Sequence, residues 1–351
     1  MPKKNPKTNP KKNNSTLFKK AACFTDIHFG LKNNSHLHNE DCLEFIKWFI
    51  KTAKENNCET CIFLGDWHHQ RASINVSTMN YTLKALSLLN ENFEVIYFIN
   101  GNHDLYYRDT RLLNSIEFNK LLPNFVQINE PISIENVAFI PWLVGDEWKK
   151  IQKLKCKYMF GHFELPNFYM NAMVKMPDHG RLKEEKFKHP ELVFSGHFHT
   201  RQARGKVVYI GNAFPHNYAD AWDDERGAMI LEWGTEPEFL AWPEQPTYRT
   251  LRLTTLLEDP RKFLKEKAHA RINLDINITY EEANFIKDLF TDIFKLREFS
   301  LVPAKDIEHE EGNIIGEIKF QSVDQIVISH LQDIQSDTFD SKVLVAIYNS
   351  L

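Results

Sequence analysis

Five short polar motifs, each directly after an apolar run of strand length, lie in the first two-thirds of this 351-residue sequence. They read FTDIHFG, FLGDWHH, INGNHD, MFGHFE and FSGHFHT. Together they carry seven side chains of metal-ligand type: Asp26, His28, Asp66, Asn102, His162, His197 and His199. Polar side chains at the ends of buried strands favour a sheet that collects ligands along one edge. Each motif alone is weak, but the ordered set predicts a metal site.

The same region alternates strand and helix signals. Apolar runs of strand length lie at residues 21–24, 61–64, 93–99, 137–142, 158–160, 192–194 and 207–210. Apolar residues from Leu43 to Ala53 recur at helical spacing, with Asn39 as the expected cap, and a second helix is expected after Ser77. Strands separated by helices predict an α/β fold, here a layered α/β sandwich.

Composition changes along the chain predict four segments. Residues 1–17 are rich in Lys, Asn and Pro and are expected to be a disordered basic tail. Residues 18–245 form the expected main domain, which ends at the segment WPEQP. Residues 246–322 form a smaller α+β domain, with strands expected at 251–254, 271–279 and 299–302 and a helix at 281–294. Residues 323–351 are expected to form two terminal helices.

The charge of the chain is unevenly distributed. The net charge is −4, but seven of the 43 basic residues lie in the first twenty positions, which hold no acidic residue. The rest of the chain is therefore clearly acidic. An acidic surface disfavours nucleic-acid binding by bulk charge alone, and it suits a protein that collects divalent cations or whose basic partner holds the DNA.

The five cysteines do not resemble a disulfide framework in a chain of this length. Cys58 and Cys61 form a C-x-x-C pair, which is either a redox or zinc motif or two small apolar residues entering a strand. The second interpretation is favoured, because no second pair completes a zinc site. No apolar run is long enough to span a bilayer, and no signal peptide is evident. We expect a reduced, cytoplasmic compartment, which for a viral protein is the host cytoplasm, and no membrane contact.

The residue types of the five motifs indicate the metal. Side chains alternate along a strand, so Asp26 and His28 are expected to project the same way, as are His197 and His199. Asp66 follows a glycine, where a tight turn would leave its carboxylate able to bridge two cations. A mixed set of oxygen and imidazole ligands suits Mn²⁺, Fe or Zn²⁺ better than Ca²⁺ or Mg²⁺.

The ordered set D-x-H, G-D, G-N-H-D, G-H and G-H-x-H resembles the calcineurin-like metallophosphoesterases. This resemblance implies two divalent metal ions, with Mn²⁺ favoured, that together stabilise the entering and leaving oxygens of a displacement at phosphorus. It assigns Asp26, His28, Asp66 and His199 to the first metal and Asp66, Asn102, His162 and His197 to the second. It also implies that His103 faces the phosphate as a charge stabiliser or general acid, with Asp104 orienting it.

Three polar residues that follow Asp66 lie outside the ligand set: His68, His69 and Arg71. We interpret His68 as an exposed polar residue after the turn. His69 lies where nuclease members of the family often carry His or Asp, so contact with DNA and a merely exposed position are equally supported. Arg71 is a candidate for phosphate contact, although a surface arginine without a function is the favoured interpretation.

Details of the motifs favour one branch of the family. Serine/threonine protein phosphatases carry G-D-x-V-D-R-G and G-N-H-E, whereas this chain reads GDWHHQR and GNHD. With FIPWLVGDEW, GHFELPNFY and YIGNAF, it instead resembles the SbcD-type DNA repair nucleases, which include recombination nuclease subunits of T-even-like phages. That resemblance implies a DNA exo/endonuclease in recombination, repair and end processing. It also implies a small capping domain and a homodimer within a heterotetramer with an SMC-like ATPase.

The terminal helices offer a place for such a partner. Val323, Ile326, Val327, Leu331 and Ile334 recur at helical spacing, which fits either an intramolecular core or an ATPase-docking surface. The chain has no G-x₄-G-K-[S/T] sequence, so any ATP hydrolysis would belong to another subunit. Two rival functions remain: a small-molecule phosphodiesterase or phosphatase, and a scaffold without catalytic activity. The intact ligand set disfavours the scaffold.

Overall fold

The computed structural model describes residues 16–170 and 174–303, together with Val343. Its strands are β1 (Lys20–Phe24), β2 (Thr60–Phe63), β3 (Val95–Ile99), β4 (Phe125–Ile128), β5 (Ile132–Ile134), β6 (Val137–Ile140), β7 (Tyr158–His162), β8 (Leu192–Gly196), β9 (Gln202–Arg204), β10 (Val207–Tyr209), β11 (Gly227–Glu232), β12 (Glu238–Ala241), β13 (Thr247–Arg252), β14 (Ala268–Leu274) and β15 (Glu298–Pro303). Its α-helices are α1 (Leu31–Asn34), α2 (His36–Glu55), α3 (Val76–Asn92), α4 (Trp148–Ile151), α5 (Leu253–Glu258), α6 (Pro260–Phe263) and α7 (Tyr280–Phe294). Short 3₁₀ helices lie at Glu117–Leu121, Glu184–Lys186 and Tyr218–Asp220.

Two six-stranded sheets form the main body. The first has the order β12-β11-β1-β2-β3-β4, and the second has the order β5-β6-β7-β8-β10-β9. Strands β1 to β4 run parallel, as do β6, β7, β8 and β10, whereas β11, β12, β5 and β9 pair antiparallel with their neighbours. The carboxyl ends of the parallel strands therefore gather at one edge of each sheet.

The core explains why the sheets stack. Alternate residues of the central strands, such as Ile62 and Ile99 from the first sheet and Phe139 and Phe160 from the second, form one buried cluster between them. The opposite face of the first sheet packs on α2 and α3, and that of the second packs on loops around Phe163. This layered α/β arrangement confirms the predicted fold class.

Helices α2 and α3 begin at other residues than the sequence predicted. Helix α2 starts at His36 with Ser35 as its N-cap, and the Ser35 side chain accepts a hydrogen bond from the His38 N–H. Asn39, the expected cap, lies buried inside the helix, where it accepts a hydrogen bond from Gly30 and donates one to Thr78. Asn39 therefore ties the turn after β1 to α3 instead of ending a helix.

A third sheet of three parallel strands, β13-β14-β15, follows the main body. Helices α5 and α6 connect the first two strands, and α7, which starts with a capping box at Thr279 and Glu282, leads to the third. The expected strand at 251–254 lies earlier, because β13 ends at Arg252 and Leu253 begins α5. The domain boundary at residue 245 stays a prediction.

Two of the predicted segments lie largely outside the residues that the structure describes. Of the basic tail at 1–17, residues 1–15 lie outside the described residues, as does the segment 323–351 apart from Val343. None of the helices in the described ranges has both the length and the apolar character needed to cross a bilayer. Cys58 and Cys61 are buried and unpaired, and burial raises the pKa of Cys58 to about 11, which makes it an unreactive thiol.

Candidate metal centre

The five motifs meet where the two sheets end side by side. Asp26 and His28 follow β1, Asp66 follows β2, and Asn102 follows β3, all in the first sheet. The second sheet contributes its residues from β7 and β8: His162 is the last residue of β7, and His197 and His199 follow β8. The sandwich thus brings together ligands that are far apart in sequence.

The loops that carry the first ligands brace each other through their backbones. The Asp26 N–H donates to Gly65 O at 2.9 Å, and the His28 N–H donates to Asp66 O at 3.2 Å. Four predicted ligands, Asp26, His28, Asp66 and His197, have positive φ angles between 50° and 89°. Such backbone is costly for residues with a Cβ, and it concentrates at functional sites. Alternation along a strand is therefore not what aligns Asp26 and His28.

One group of candidate ligands is formed by Asp26, His28 and His199, whose ligand atoms all lie within 4.8 Å of one another. His28 Nε2 and His199 Nε2 are each 3.8 Å from Asp26 Oδ1. Both ring nitrogens of His28 are buried without a hydrogen-bond partner. Buried polar atoms usually have partners, so His28 has the environment of a ligand side chain.

A second group is formed by Asp66, His162 and His197, again with ligand atoms within 4.8 Å. Asn102 Oδ1 lies 3.0 Å from His162 Nε2 and 3.0 Å from His197 Nδ1. Asp66 joins the two groups, because its Oδ2 lies 3.4 Å from His162 Nε2 and 3.7 Å from His28 Nε2. The structure thus brings all seven predicted ligand residues together.

Burial sets the charge state of the imidazoles. It lowers the pKa of His28 well below its usual value and that of His197 to about 3, so both rings are neutral at pH 7. Burial opposes the charge on His162 as well, but Asp66 and Asp26 beside it raise its pKa to about 9. Carboxylates thus favour a positive charge in the middle of the centre. Imidazoles bind metal in their neutral form, so a metal ion at His162 would take the place of the proton that the carboxylates favour there.

His162 is oriented by its other ring nitrogen. Nδ1 lies 2.8 Å from the backbone oxygen of Leu64, to which it donates, and Nε2 therefore faces Asp66 and Asn102. A backbone carbonyl that fixes the second nitrogen is the usual support of a metal-binding histidine.

The side chain of Asp104 has other hydrogen-bond partners than expected. Its buried carboxylate accepts hydrogen bonds from four backbone N–H groups, those of Asp66, Trp67, His68 and Gly101, at 2.9 to 3.2 Å. The expectation that Asp104 orients His103 does not match this geometry. Nδ1 of His103 instead lies 2.7 Å from the backbone oxygen of His69. Asp104 holds the loop that carries Asp66 and is a positioning residue in this arrangement.

The three residues after Asp66 differ in environment. His68 is buried, not exposed as predicted, and its two ring nitrogens lie 2.9 Å from Ser115 Oγ and 3.0 Å from Thr82 Oγ1. His69 is partly exposed, and its ring stacks on that of His103 at 5.3 Å. Arg71 is partly exposed as well.

A cavity of about 690 Å³ opens beside the second ligand group. From the predicted set it is lined by His69, Arg71, Asn102, His103 and His197. Sequence reasoning missed the other five lining residues, which are Gln70, Ala72, Arg108, Trp142 and Glu164. Trp142 ends the PW pair after β6, and a single tryptophan there carried no sign of a site in the sequence.

His216 was missed as well. Its ring is buried, has no hydrogen-bond partner, and lies 5.5 Å from the ring of His28 and 5.4 Å from that of His199. It follows Pro215 in a loop without a strand-end motif, so only the folded chain places it beside the first ligand group. We interpret His216 as packing that limits the movement of these two imidazoles.

Position 65 has no room for a side chain. A Cβ at Gly65 would lie 2.5 Å from His162 Nδ1 and 2.8 Å from Gly101 Cα, and φ is +108°. We expect Gly65→Ala to lower the free energy of unfolding by about 1–3 kcal/mol more than Gly180→Ala does. Gly180 is a matched control, because its φ is +73° but a Cβ there would meet nothing within 4 Å. Urea denaturation compares the two variants, and equal losses would remove the packing argument.

The family profile described as calcineurin-like phosphoesterase matches residues 19–201, which is more than half of the chain. This chain belongs to the calcineurin-like phosphoesterase family. A relative named Exonuclease subunit 1, from Enterobacteria phage T4, is 26% identical over 338 residues, which cover 93% of this chain and 96% of the relative. The resemblance predicted from the five motifs is therefore confirmed.

Solved structures of similar fold include nucleases and phosphatases. A Pseudomonas putida nuclease, MPE, has 21% identity and a TM-score of 0.30, with 54% of this chain and 66% of that chain covered. A dimetal phosphatase from Danio rerio has 10% identity and a TM-score of 0.41, with 61% and 92% covered. The family assignment rests on the profile match and not on these structures.

Proposed function

We propose that this phosphoesterase is a metal-dependent DNA exo/endonuclease that hydrolyses phosphodiester bonds with two divalent metal ions. The observation that carries the proposal is the Asp66 carboxylate. Its Oδ2 lies 3.7 Å from a histidine of one ligand group and 3.4 Å from a histidine of the other. A single carboxylate shared by two ligand groups is the arrangement expected of a two-metal site.

The residues fit such a pair of ions. Asp26, His28 and His199 would hold the first, Asn102, His162 and His197 would hold the second, and Asp66 would bridge them. The unpartnered nitrogens of His28 and the positive charge favoured at His162 both indicate a place built for cations. Oxygen and nitrogen donors together suit Mn²⁺, Fe or Zn²⁺, and we propose Mn²⁺ on the family resemblance. When bound, the ions would supply Lewis acidity and lower the pKa of water.

The protein's own residues would do the rest. His103 lines the cavity, and its Nδ1 donates to the backbone oxygen of His69. That contact leaves Nε2 as the atom able to give a proton to a leaving oxygen. Asp104 keeps the Asp66 loop in place through four backbone hydrogen bonds. Arg71 and His69 line the same cavity and are proposed to contact DNA phosphate.

The DNA substrate is supported by the relative named Exonuclease subunit 1, which aligns with almost the whole chain. The same name, as a subunit, supports a partner. We propose an SMC-like ATPase as that partner, with a homodimer of this chain in a heterotetramer that acts in DNA recombination and repair in the cytoplasm. A basic partner surface would also offset the acidic charge of this chain.

End-labelled linear duplex and single-stranded DNA test this function. We expect Mn²⁺ to support DNA cleavage and EDTA to stop it. The reason is that the protein side chains cannot replace the Lewis acidity of the bound metal ions. The length of the labelled fragments gives the polarity of cleavage. Hydrolysis of bis(p-nitrophenyl) phosphate without DNA cleavage, even after the ATPase is added, would instead favour a small-molecule phosphodiesterase.

Partner docking has its own test. The sequence stripe that includes Val327 is proposed to contact the ATPase, so Val327→Asp should reduce co-purification of the two subunits at least tenfold. Such a loss follows when a charge is buried in an apolar interface without a partner. Gln332→Asp, off the stripe, is the matched control. Equal co-purification of both variants, with full hydrolytic activity, would remove this docking assignment and leave the nuclease proposal standing.

A further inference from the structure

Trp142 is an aromatic residue at the candidate metal centre that none of the five motifs contains. Its backbone is fixed on both sides: its N–H donates to Asn100 O at 2.8 Å, and its carbonyl accepts from Arg111 Nη1 at 2.6 Å. Arg111 is itself held by Glu147 and by the backbone oxygen of Asn129. The position of the indole next to the ligands is therefore well defined.

The indole lies against the second ligand group. Its ring centroid is 5.1 Å from that of His197 and 6.1 Å from that of His162. Trp142 is only partly buried, and it lines the 690 Å³ cavity together with His103. A tryptophan that served only to pack the two imidazoles would not need to keep part of its surface on the cavity.

Two arginines line the same cavity. Burial lowers the pKa of the Arg71 guanidinium, and the positive charge of the nearby Arg108 lowers it further. Arg71 is partly exposed and Arg108 is exposed, and neither guanidinium forms an ion pair with any residue of the described ranges. Unpaired arginines beside a catalytic centre provide a binding place for an anion with several oxygens, such as a phosphate.

We propose that this cavity binds the nucleotide next to the scissile bond, with its base stacked on Trp142 and its phosphate held by Arg71 and Arg108. The proposal rests on the proposed nuclease function and names the part of the substrate that the site recognises. A flat aromatic surface accepts any base, so the contact favours nucleic acid over simple diesters without selecting a sequence. A base can reach this surface only when it has left its partner strand, so unpaired ends should be preferred.

A cycle of substrate and protein changes tests the stacking. The full chain is assayed with Mn²⁺ on a single-stranded oligonucleotide with one cleavage position, and on two versions that carry an abasic residue on either side of that position. We expect Trp142→Leu to lower kcat/KM on the normal oligonucleotide by about 5- to 100-fold, the range for one lost base–aromatic stack. On one of the abasic versions the loss should be threefold or less, because no base is left to stack.

The outcomes are distinct. Trp142→Phe, which keeps an aromatic face, should retain most of the activity on the normal oligonucleotide. Equal losses for Trp142→Leu on all three substrates would overturn the proposal and leave Trp142 as packing for His162 and His197. If the unchanged protein cleaves none of the oligonucleotides, with or without the ATPase, the nuclease function itself fails, and that result is separate from any effect at Trp142.

The arginines have an independent measurement. Removing one phosphate contact should reduce the slope of log affinity against log salt concentration by about one. We expect Arg108→Ala to show this change in DNA binding and Arg261→Ala, an exposed arginine on α6, to show none. An unchanged slope for Arg108→Ala would exclude Arg108 from the phosphate site.

Discussion

Asp66→Asn should reduce metal-dependent hydrolysis by roughly 10³-fold or more, because a bound metal ion contributes several kcal/mol to the transition state. The Asp66 Oδ2 atom lies 3.7 Å from the His28 imidazole in the first ligand group and 3.4 Å from the His162 imidazole in the second. Asparagine has almost the same shape and keeps an oxygen that can accept the hydrogen bond from the His103 N–H, now 2.8 Å from Asp66 Oδ1. The substitution therefore removes charge and little else.

Two measurements make this prediction specific. Equilibrium dialysis with Mn²⁺ should show fewer bound ions per chain, and DNA cleavage should fall in parallel. Asp288→Asn, on the exposed face of α7, is the matched control and should behave like the unchanged protein. If Asp66→Asn bound both ions and cleaved DNA at the normal rate, the bridging role of Asp66 would be wrong.

Much of the centre could be predicted from the sequence because its determinants are local. An apolar run followed by glycine and a polar residue marks the end of a buried strand, and four of the five motifs have this form. In FTDIHFG the apolar run leads directly into Thr25 and Asp26. The strands β1, β2, β3 and β6 to β8 were recognisable for the same reason. Strand β11 was not predicted, since its place depends on antiparallel pairing with β1, which is distant in sequence.

Other features depend on three-dimensional contacts that no short window contains. The positive φ angles at Asp26 and His28 arise because their loop pairs with the loop of Asp66, which is a contact between two strands. His68 was predicted to be exposed, but Ser115 and Thr82, from elsewhere in the chain, surround it. In both cases the sequence gives the residue type, while the partner is determined by the fold.

Asp104 shows the same limit within one motif. Neighbouring His and Asp residues in GNHD favour a hydrogen-bonded pair, but adjacent side chains in this tight turn point to different groups. The Asp104 carboxylate turns towards the N–H groups of the Asp66 loop, and the His103 ring turns towards the backbone oxygen of His69. The hydrogen-bond partner of each side chain follows only from the folded turn.

His103→Ala should lower kcat on DNA by about 10²- to 10⁴-fold, the usual contribution of a general acid or base, while metal binding stays unchanged. His103 lines the cavity and lies outside the two ligand groups that Asp66 joins, although its ligand atom also lies within 4.8 Å of those of His28 and His69. Because Nδ1 lies 2.7 Å from the backbone oxygen of His69, Nε2 is the nitrogen available for proton transfer. Dialysis with Mn²⁺ separates this loss from that of Asp66→Asn, which removes metal and activity together. His189→Ala, at an exposed position, is the control for general effects of a lost histidine.

Substrates with different leaving groups distinguish the two proposed roles of His103, proton donation and charge stabilisation. A p-nitrophenolate leaves without needing a proton, whereas the deoxyribose oxygen of DNA needs one. If His103 donates that proton, His103→Ala should slow cleavage of a p-nitrophenyl phosphodiester at least tenfold less than cleavage of DNA. Equal losses on both substrates would assign His103 to charge stabilisation at phosphorus, because that contact acts on every leaving group alike. Normal rates on both would exclude it from the reaction.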